Sequence, residues 1–443
     1  MVTRVLAGSI LLTTAGVAWL TINVTFAARL LQTLVAVSVL YVAWLAWRGA
    51  RIMRRALVDS RAGAHEPTGL AEPFPFVSLV LPARNEAVVI GATVMALRGI
   101  AYADGVGQPR FELFVVDDGS TDATGDLARA AAAGAAHITV RRREESGGPR
   151  TKGAVLAFAL PYLRGDVIGA IDADTRVEPA FLECVMRAWR RDPAAAALQV
   201  ARRPRNEATS WLTAAQAEEQ LMDMASQCGR WVTDGTAELR GNGMFVRRDV
   251  LEAIGGWDAK ALTEDLELST RLSANGHHVT LAPECAVAEE AVESLGALWH
   301  QRRRWAEGSM RRLLEHGPGM LAGSQPVSRK ADFGALAAEF LVPPLFATTV
   351  AASLLTIPLP RPADWTMPLT LFAGYGLGVF VLALGGLSAA GERGSRLVAR
   401  AARGALFLSH WLLVVPVSLL VIAFGPAPVG FVQTPRVTGV RNR

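Results

Sequence analysis

The stretch that decides the fold is VVDDGSTD, residues 115–122. The apolar residues that lead into it predict a buried strand, and this strand ends in two adjacent carboxylates, Asp117 and Asp118. The glycine that follows predicts a turn, and a helix is expected from Ser120 or Thr121. Adjacent strand residues point to opposite faces, so one carboxylate is expected to face a ligand while the other orients the loop. A turn followed by a capped helix explains the same residues equally well.

The β-loop-α pattern of this stretch recurs on both sides of it. Strands are predicted at 76–81, 111–116, 137–142 and 167–171, with helices that follow them to about residues 98, 133, 163 and 191. From 210 to 312 the pattern is more helical and irregular. The repeat predicts an α/β fold, with a mainly parallel, Rossmann-like sheet and right-handed crossovers. In such sheets ligands bind outside the carboxyl ends of the strands, where the polar motifs stand.

Both ends of the chain are apolar enough for a membrane, and the 443 residues are 51% hydrophobic. A spanning helix needs about 20 residues, so residues 5–47 predict two transmembrane helices with a turn near Ala28-Arg29. A cleaved signal peptide is disfavoured because its apolar region is only about 7–15 residues long. Further apolar stretches lie at 335–358, 367–389 and 405–424, and Pro343-Pro344 marks the first of them as an interfacial or re-entrant segment.

The arginines indicate the orientation in the membrane. They cluster after the second predicted span, at 48–61, and in the predicted loop 391–403, whereas the loop 359–366 carries only Arg361. By the positive-inside rule the central domain is therefore expected in the cytoplasm. The net charge of +5 does not indicate nucleic acid as a partner, because the basic runs flank membrane spans and lack interleaved aromatic residues.

Several common site types are disfavoured. Cys184, Cys228 and Cys285 are far apart and have no metal-ligand spacing, which indicates reduced thiols rather than a disulfide framework or a zinc site. No strand is followed by GxGxxG, and no GxxxxGK[ST] is present. The motifs therefore disfavour both a dinucleotide site and a P-loop NTPase.

A second acidic strand end is Asp172-Ala173-Asp174. Residues two apart on an extended segment share a face, so these two carboxylates are expected to hold a divalent cation together. Magnesium typically takes one or two carboxylates plus substrate phosphate oxygens. This is the chemistry that binds a nucleotide diphosphate and stabilises it as a leaving group.

Thr263-Glu264-Asp265 is expected to open a helix that runs to about residue 273. Acidic residues in a first turn complement the helix dipole, and Thr263 is expected to cap the helix. A carboxylate at this position can also act as general base toward an acceptor hydroxyl.

Basic residues supply the remaining candidates. On a helix Gln301, Arg304 and Trp305 share a face, where an arginine can hold a pyrophosphate and a tryptophan can stack on a sugar ring. The alternative is a basic amphipathic helix on anionic lipid, and Arg302, Arg303, Arg311 and Arg312 are assigned to that surface. Arg84-Asn85-Glu86 and Lys152 lie near strand ends, where they can contact a nucleotide and its phosphates or be solvated.

Taken together, these motifs resemble the family-2 glycosyltransferases, in particular the membrane-embedded group that includes cellulose and hyaluronan synthases. The matching segments, in the family's order, are 82–86, Asp117-Asp118-Gly119, Asp172-Ala173-Asp174, Thr263-Glu264-Asp265 and Gln301-x-x-Arg304-Trp305. They cover roughly residues 76–306, and the flanking transmembrane helices match as well. The resemblance implies a GT-A fold and an inverting transfer from a UDP-sugar or another NDP-sugar.

The resemblance also implies a role for each position, with Asp265 as the catalytic base. The donor nucleotide and diphosphate would be bound by Pro82, Arg84, Glu86, Asp117, Asp118, Lys152 and Asp172. Mg²⁺ or Mn²⁺ would be held by Asp172 and Asp174, and the acceptor and diphosphate site would be lined by Glu264, Gln301, Arg304 and Trp305.

The expected organisation has six parts. These are two transmembrane helices (1–47), a basic cytoplasmic linker (48–75), the GT-A domain (76–312), an interfacial linker (313–334), a region of about three transmembrane helices (335–425) and a tail (426–443). The chain is therefore expected to be a multi-pass protein of the inner or plasma membrane, with a cytoplasmic catalytic domain.

Three functions are compatible with these observations. The leading one is transfer of a sugar to a glycan acceptor, including processive polysaccharide synthesis. The second is transfer of one sugar to a lipid acceptor, giving a glycolipid or a carotenoid glycoside. The third is a non-catalytic membrane scaffold or transport partner, which is disfavoured because every expected acidic position is filled.

Overall fold

The structure is a computed structural model that describes residues 2–61, 75–104, 106–144, 149–358 and 365–425. Contacts divide the chain into two compact units. The first is formed by Met1–Arg54, Ala214–Thr236 and Ser294–Pro428, and the second by Arg55–Thr213, Ala237–Glu293 and Val429–Arg443. The predicted tail 426–443, residues 62–74 of the predicted linker and 359–364 of the predicted loop lie outside the described residues.

The strands are β1 Val77–Ala83, β2 Phe111–Asp117, β3 Ile138–Arg142, β4 Val167–Ala170, β5 Ala197–Pro204, β6 Met244–Arg247 and β7 Val279–Glu289. The α-helices are α1 Val2–Asn23, α2 Thr25–Arg61, α3 Ile90–Arg98, α4 Thr124–Ala132, α5 Lys152–Ala159, α6 Phe181–Arg190, α7 Trp211–Val232, α8 Arg248–Ala253, α9 Glu264–Ala274, α10 Leu295–Ala322, α11 Val327–Glu339, α12 Val342–Thr356, α13 Thr366–Ala390, α14 Gly394–Leu408 and α15 Trp411–Phe424. A 3₁₀ helix, Leu160–Tyr162, extends α5.

One sheet organises the second unit, with the strand order β3-β2-β1-β4-β6-β5-β7. The predicted mainly parallel sheet is confirmed: β1 pairs in parallel with β2 and β4, β2 with β3, and β5 with β7. Only β6 runs antiparallel, to both β4 and β5, among the described strands. Strands β2 and β3 are added on one side of β1, and β4 is added on its other side. The change of direction places a topological switch point between β1 and β4. Ligands bind at such a point, outside the carboxyl ends of the strands.

Successive side chains of the central strands pack into two hydrophobic cores, one on each face of the sheet. Leu79 and Leu81 pack with helices α3 and α6, whereas Val80 packs with α5, α8 and α9. This is the period of two that a strand imposes. Apolar residues therefore occupy both faces, and the polar residues that follow each strand are left at its end.

The first unit contains the apolar helices. Five candidate membrane spans in the described residues are long and apolar enough to cross a bilayer, namely Thr3–Thr21, Thr25–Arg61, Val327–Thr356, Thr366–Ala390 and Gly394–Phe424. The first two helices separate at Val24, four residues before the predicted turn. The third candidate is broken between α11 and α12, directly before Pro343-Pro344, because proline favours the first turn of a new helix.

Several residues expected in loops are helical. The arginines at 48–61 continue α2 as one helix, and those from 396 to 403 lie in α14. Arg400 and Arg403 reach the fully buried Glu218 of α7, with Nε to carboxylate distances of 2.9 Å each. Because a buried carboxylate needs a cation, these two arginines serve the packing of the unit as well as its charge.

Candidate active site

The end of β2 and the loop after it, which contain Asp117 and Asp118, are held in place by hydrogen bonds. Asp117 is almost fully buried; its Oδ1 accepts a hydrogen bond from the Ser120 amide at 2.9 Å, and its Oδ2 accepts one from Arg142 at 3.1 Å. Asp118 Oδ1 accepts from Arg143 Nε at 2.6 Å. The predicted helix start at Ser120 or Thr121 is wrong, since α4 begins only at Thr124. The Asp117 carboxylate holds the Ser120 amide in a turn instead, which delays the helix by one turn.

The same loop is joined to the loop after β1. Asn85, at a φ of 52°, donates its amide to Ser120 Oγ at 3.0 Å and accepts from the Thr121 amide at 2.8 Å through Oδ1. The Glu86 amide donates to Thr124 Oγ1 at 2.7 Å. Of the predicted donor-binding residues here, Pro82 lies within β1, and Arg84 and Glu86 lie in the loop that follows it. Hydrogen bonds thus join the loops that follow β1 and β2.

A lysine forms the centre of the site. Lys152, the first residue of α5, places Nζ 2.5 Å from Asp172 Oδ1, 3.1 Å from the Gly241 carbonyl oxygen and 3.6 Å from Glu264 Oε1. Burial alone would lower the pKa of this lysine, but the Asp172 and Glu264 carboxylates outweigh burial and raise its pKa to about 12. The ammonium group is therefore charged at any physiological pH. It brings together residues from three separate predicted motifs.

Glu264 is the buried partner of this lysine. Burial raises the pKa of Glu264 to about 7, although the Lys152 ammonium acts in the opposite direction and the neighbouring Asp265 adds to the rise. Gly153 makes the approach of α5 possible, because a Cβ there would lie 2.4 Å from the Asp258 carbonyl oxygen and 3.2 Å from Glu264 Cβ. A glycine at this position is therefore required for the lysine and the carboxyl group to meet.

Asp265 lies beside this pair and is only half-buried. Its Oδ1 accepts from the Leu266 amide at 2.8 Å, and its Oδ2 lies against Gly241, at 3.1 Å from where a Cβ would stand. The residue lies in the first turn of α9, which begins at Glu264 as predicted, so its negative charge is favoured by the helix dipole. Thr263 occupies the N-cap position, but its side chain makes no capping hydrogen bond. The negative charge of Asp265 is one of the causes that raise the pKa of Lys152.

Asp172-Ala173-Asp174 forms a turn rather than the extended segment expected. The Thr175 amide donates to the Asp172 carbonyl oxygen at 3.1 Å, and Asp174 Oδ2 accepts from the Glu290 amide at 3.3 Å. Asp174 is 9% exposed, whereas the Asp172 side chain is 40% exposed. The described residues contain no group of three or more His, Cys, Asp or Glu side chains arranged to hold a metal ion. Asp172 is the more accessible of the two carboxylates, and two carboxylates would suit a cation that takes its other ligands from a substrate.

Sequence reasoning missed the residues that support this turn. Asn242 is 1% exposed and accepts through Oδ1 from the Asp172 amide at 3.1 Å and from Thr175 Oγ1 at 3.0 Å. Its Nδ2 donates to Glu289 Oε2 at 3.0 Å. The available signal was the segment Gly241-Asn242-Gly243, whose two glycines have positive φ values of 78° and 70°.

Gln301, Arg304 and Trp305 lie on α10, within the first unit, while the lysine-centred cluster belongs to the second. The assignment of Arg302 to a lipid surface is wrong. Its guanidinium is 2% exposed, donates to Glu219 Oε2 at 2.5 Å and lies 4.3 Å from the centre of the Trp305 ring. Arg312 is also buried, so the four arginines do not form one exposed basic face.

The structure also corrects the cysteine prediction. Cys184 of α6 and Cys285 of β7 form a disulfide, and Cys228 is free and buried. The 101 residues that separate the two cysteines hid the pairing, because it depends on α6 packing beside β7. The prediction of reduced thiols is therefore wrong for Cys184 and Cys285.

Comparisons with known proteins agree with this geometry. The family model described as "Glycosyltransferase like family 2" matches residues 74–308, more than half of the chain. The chain is 32% identical over 405 residues to the beta-monoglucosyldiacylglycerol synthase of Synechocystis sp., with 88% of this chain and 82% of that protein covered. It is 26% identical over 243 residues to the poly-beta-1,6-N-acetyl-D-glucosamine synthase of Staphylococcus aureus, with 54% and 55% covered.

Among solved structures, the mannosyltransferase PcManGT from Pyrobaculum calidifontis, in complex with GDP-Man and Mn²⁺, has a TM-score of 0.54 at 19% identity. The match covers 87% of this chain and 99% of that protein, and it supports the predicted GT-A fold. The sheet, the acidic strand ends and the family match lead to one conclusion: the chain is an enzyme that belongs to the family-2 glycosyltransferases.

Proposed function

We propose that this enzyme transfers a single hexose from a nucleotide-sugar to a membrane lipid, with diacylglycerol as the acceptor class. The observation that carries the proposal is the 32% identity to a beta-monoglucosyldiacylglycerol synthase, which extends over 88% of this chain. That extent includes apolar helices as well as the catalytic domain. Five candidate spans also suit an enzyme whose acceptor is dissolved in a bilayer.

The leading interpretation from the sequence was a glycan acceptor, with processive synthesis as one form of it. The similarity to a poly-beta-1,6-N-acetyl-D-glucosamine synthase supports this second candidate, but it covers only 54% of the chain at 26% identity. The longer and stronger similarity favours the lipid acceptor, so polysaccharide synthesis is retained as the alternative outcome of the experiment below.

In the proposed reaction Asp265 removes the proton from the acceptor hydroxyl. The hydroxyl oxygen attacks C1 of the sugar, the bond from C1 to the diphosphate oxygen breaks, and the nucleoside diphosphate leaves with the electron pair. The position of Asp265 supports this role, because it is half-buried, lies at a helix start and is next to the lysine-centred cluster. General-base catalysis of this kind typically contributes about 10²–10⁴-fold in rate.

The donor is proposed to lie along the carboxyl ends of β1, β2 and β4. Asp117 and Asp118 would order the loop against the nucleotide, Pro82, Arg84 and Glu86 would border it, and Lys152 would contact the diphosphate. Lys152 suits this role because its charge is permanent and its amine is already held at the switch point. Glu264, Gln301, Arg304 and Trp305 are proposed for the acceptor and diphosphate side.

We further propose Mg²⁺ or Mn²⁺ as the cofactor, with Asp172 and Asp174 as its protein ligands. When bound, a divalent cation would supply positive charge to the leaving diphosphate. The exposed Asp172 carboxylate fits this assignment, and the solved PcManGT complex contains Mn²⁺. Chelation with EDTA is expected to abolish transfer, and either cation is expected to restore it; full activity in EDTA would remove the metal from the proposal.

The chain is proposed to be a multi-pass protein of the cell membrane, with residues 76–312 as the catalytic domain on the cytoplasmic side. The C-terminal half of α2 supports this orientation. Arg48 and Arg51 lie 6.0 Å and 4.9 Å from the rings of the exposed Trp44 and Trp47. Tryptophans and arginines in this order are typical of a cytoplasmic membrane interface.

Sizing the product tests the acceptor. Membranes that contain the enzyme are incubated with labelled UDP-glucose and other NDP-sugars, with and without added diacylglycerol, and the products are analysed by mass spectrometry. A lipid that carries one hexose and increases with added diacylglycerol is the expected result. A polymeric product that is indifferent to diacylglycerol would overturn the lipid acceptor in favour of the second candidate.

A further inference from the structure

The turn that carries the proposed metal ligands is held by one buried side chain. Asn242 lies in the loop between α7 and β6, in the same unit as the turn. The flanking Gly241 and Gly243 have φ values of 78° and 70°, and a Cβ on Gly243 would lie 2.4 Å from Val200 Cγ2. Only glycine suits such a backbone with so little room. The conformation of the loop thus places the Asn242 side chain against the Asp172–Thr175 turn.

One oxygen of Asn242 holds both ends of the turn. Oδ1 accepts from the Asp172 amide at 3.1 Å and from Thr175 Oγ1 at 3.0 Å. The turn is closed by the hydrogen bond from the Thr175 amide to the Asp172 carbonyl oxygen. The orientation of the Asp172 carboxylate, which pairs with Lys152, therefore depends on where this amide oxygen is placed.

Glu289 decides which way the Asn242 amide faces. Asn242 Nδ2 donates to Glu289 Oε2 at 3.0 Å, and Arg202 holds both oxygens of the same carboxylate at 3.0 Å and 2.8 Å. If the amide were reversed, its NH₂ group would face the Asp172 N–H and its oxygen would face a carboxylate. Gln199 fixes the loop backbone as well, since its Nε2 donates to the Asn242 carbonyl oxygen at 2.9 Å.

We propose that Asn242, oriented by Glu289, is a positioning residue that sets the Asp172–Thr175 turn for the donor diphosphate and its cation. The inference rests on the proposed donor site, but not on the identity of the acceptor. It assigns Asn242 no contact with the substrate. Residues that orient the ligands of a metal site typically change its affinity about 10–100-fold when they are replaced.

The test exchanges the charge between the two partners. Asn242→Asp keeps the accepting oxygen but places a second carboxylate against Glu289, so the turn is expected to shift. Glu289→Gln alone keeps an oxygen that accepts from Asn242 but replaces the oxygen that accepts from Arg202 Nη2 by an NH₂ group, so this single variant measures the part of the effect that belongs to Arg202. In the double variant the glutamine can donate to the new aspartate, while Arg202 remains beside it. Coupling of this kind is what a double-mutant cycle measures.

The readout is UDP binding at fixed MnCl₂, measured by calorimetry on the full-length protein in detergent, together with KM and kcat. Asn242→Asp is expected to weaken UDP binding and to raise the donor KM by about 10–100-fold, with a smaller effect on kcat. Adding Glu289→Gln is expected to restore UDP binding to within a few-fold of the wild type. Rescue by a second substitution is not expected of a residue whose only role is general stability.

A matched control is Asn206→Asp, because Asn206 Nδ2 donates to Glu293 Oε1 at 3.0 Å in the same unit. The Asn206 side chain also bonds to the backbone of Ala291, at 2.9 Å in both directions, but to no residue of the turn 172–175. This variant therefore adds a carboxylate beside a glutamate without a direct contact with the turn, and UDP binding is expected to stay at the wild-type value. Thr175→Val removes one donor to Asn242 without adding charge, and it is expected to weaken UDP binding even where Asn242→Asp fails to fold.

Two results have different meanings. Wild-type protein that binds no UDP or other nucleotide would overturn the proposed donor site. Wild-type protein that binds UDP, with Asn242→Asp and Thr175→Val unchanged in UDP affinity or with no rescue by Glu289→Gln, would overturn the positioning role while the proposed function stands.

Discussion

Replacement of Lys152 by methionine tests the electrostatics of the site most sharply. Methionine has nearly the length of lysine but no charge, so it separates charge from packing. In the wild type the pKa of Glu264 is about 7, compared with 4.5 for the free group. Because folding favours the protonated form, the stability that Glu264 contributes is present below about pH 4.5 and is lost as pH rises through about 7.

The magnitude follows from the distance between the two charges. Nζ of Lys152 lies 3.6 Å from Glu264 Oε1, and at an effective dielectric constant of about 20 the attraction is about 4–5 kcal/mol. Removing the lysine takes away this attraction and raises the pKa of Glu264 by up to about 3 units. Above pH 7 the variant therefore loses stability relative to the wild type at up to about 1.4 kcal/mol per pH unit.

The assay is thermal unfolding of both proteins in the same detergent from about pH 6 to about pH 9. The difference in melting temperature is expected to be smallest near pH 6 and to widen as pH rises. Lys152→Arg keeps a positive charge, so its pH profile should follow the wild type. A difference between wild type and Lys152→Met that stays constant across this range would refute the proposed coupling between Lys152 and Glu264.

Three further predictions concern the stability of the folded protein. Gly153→Ala places a methyl group 2.4 Å from the Asp258 carbonyl oxygen, so it should lower the melting temperature, by overpacking that costs about 1–3 kcal/mol, and reduce donor binding. Arg302→Ala removes the buried Arg302 from its ion pair with Glu219 of α7, whose side chain is 12% exposed, and it should cost up to about 3–5 kcal/mol, seen as loss of folded protein from membranes. Reduction of the Cys184–Cys285 disulfide should cost about 2–4 kcal/mol, measured as a lower melting temperature in dithiothreitol, and it should add two thiols that react with maleimide after denaturation.

Each of these has an internal control. Gly91→Ala in α3 meets nothing within 4 Å and should leave the melting temperature near the wild-type value. Arg396 is 76% exposed in its side chain, so Arg396→Ala should change little where Arg302→Ala is severe. Denatured, unreduced protein should label only at Cys228; labelling at all three cysteines would show that the disulfide is absent.

The sequence predicted the first half of the catalytic domain well because its signals are local. Strands β1, β2 and β4 are mostly apolar and buried, and each of the first four strands ends in a polar loop before a helix. Residues from three motifs, Lys152, Asp172 and Glu264, do meet at the expected edge of the sheet. Parallel topology explains why Asp172 lies at this edge, whereas Glu264 follows the antiparallel strand β6 in the irregular region, where only the family resemblance indicated a site.

The remaining errors concern interactions between distant residues. Strand β6 has only four residues, and β7 contains Pro283 and Glu284 at a shift in its register with β5, so neither has a clear period of two. The sequence pattern assigned Arg302 to an exposed basic helix, because no residue close to it in the sequence indicates Glu219 as its partner. Asn242 gave no local sign that its oxygen would hold Asp172, because its contacts join residues 70 positions apart.

We propose that Asp265 is the base of a transferase that adds one sugar to a membrane lipid. The most direct test compares purified wild type and Asp265→Asn in vesicles that contain diacylglycerol, with UDP-glucose and Mn²⁺ present. We predict a lipid with one hexose from the wild type, none from the variant, and UDP binding of equal affinity in both. A variant that makes the product at the wild-type rate would contradict the claim.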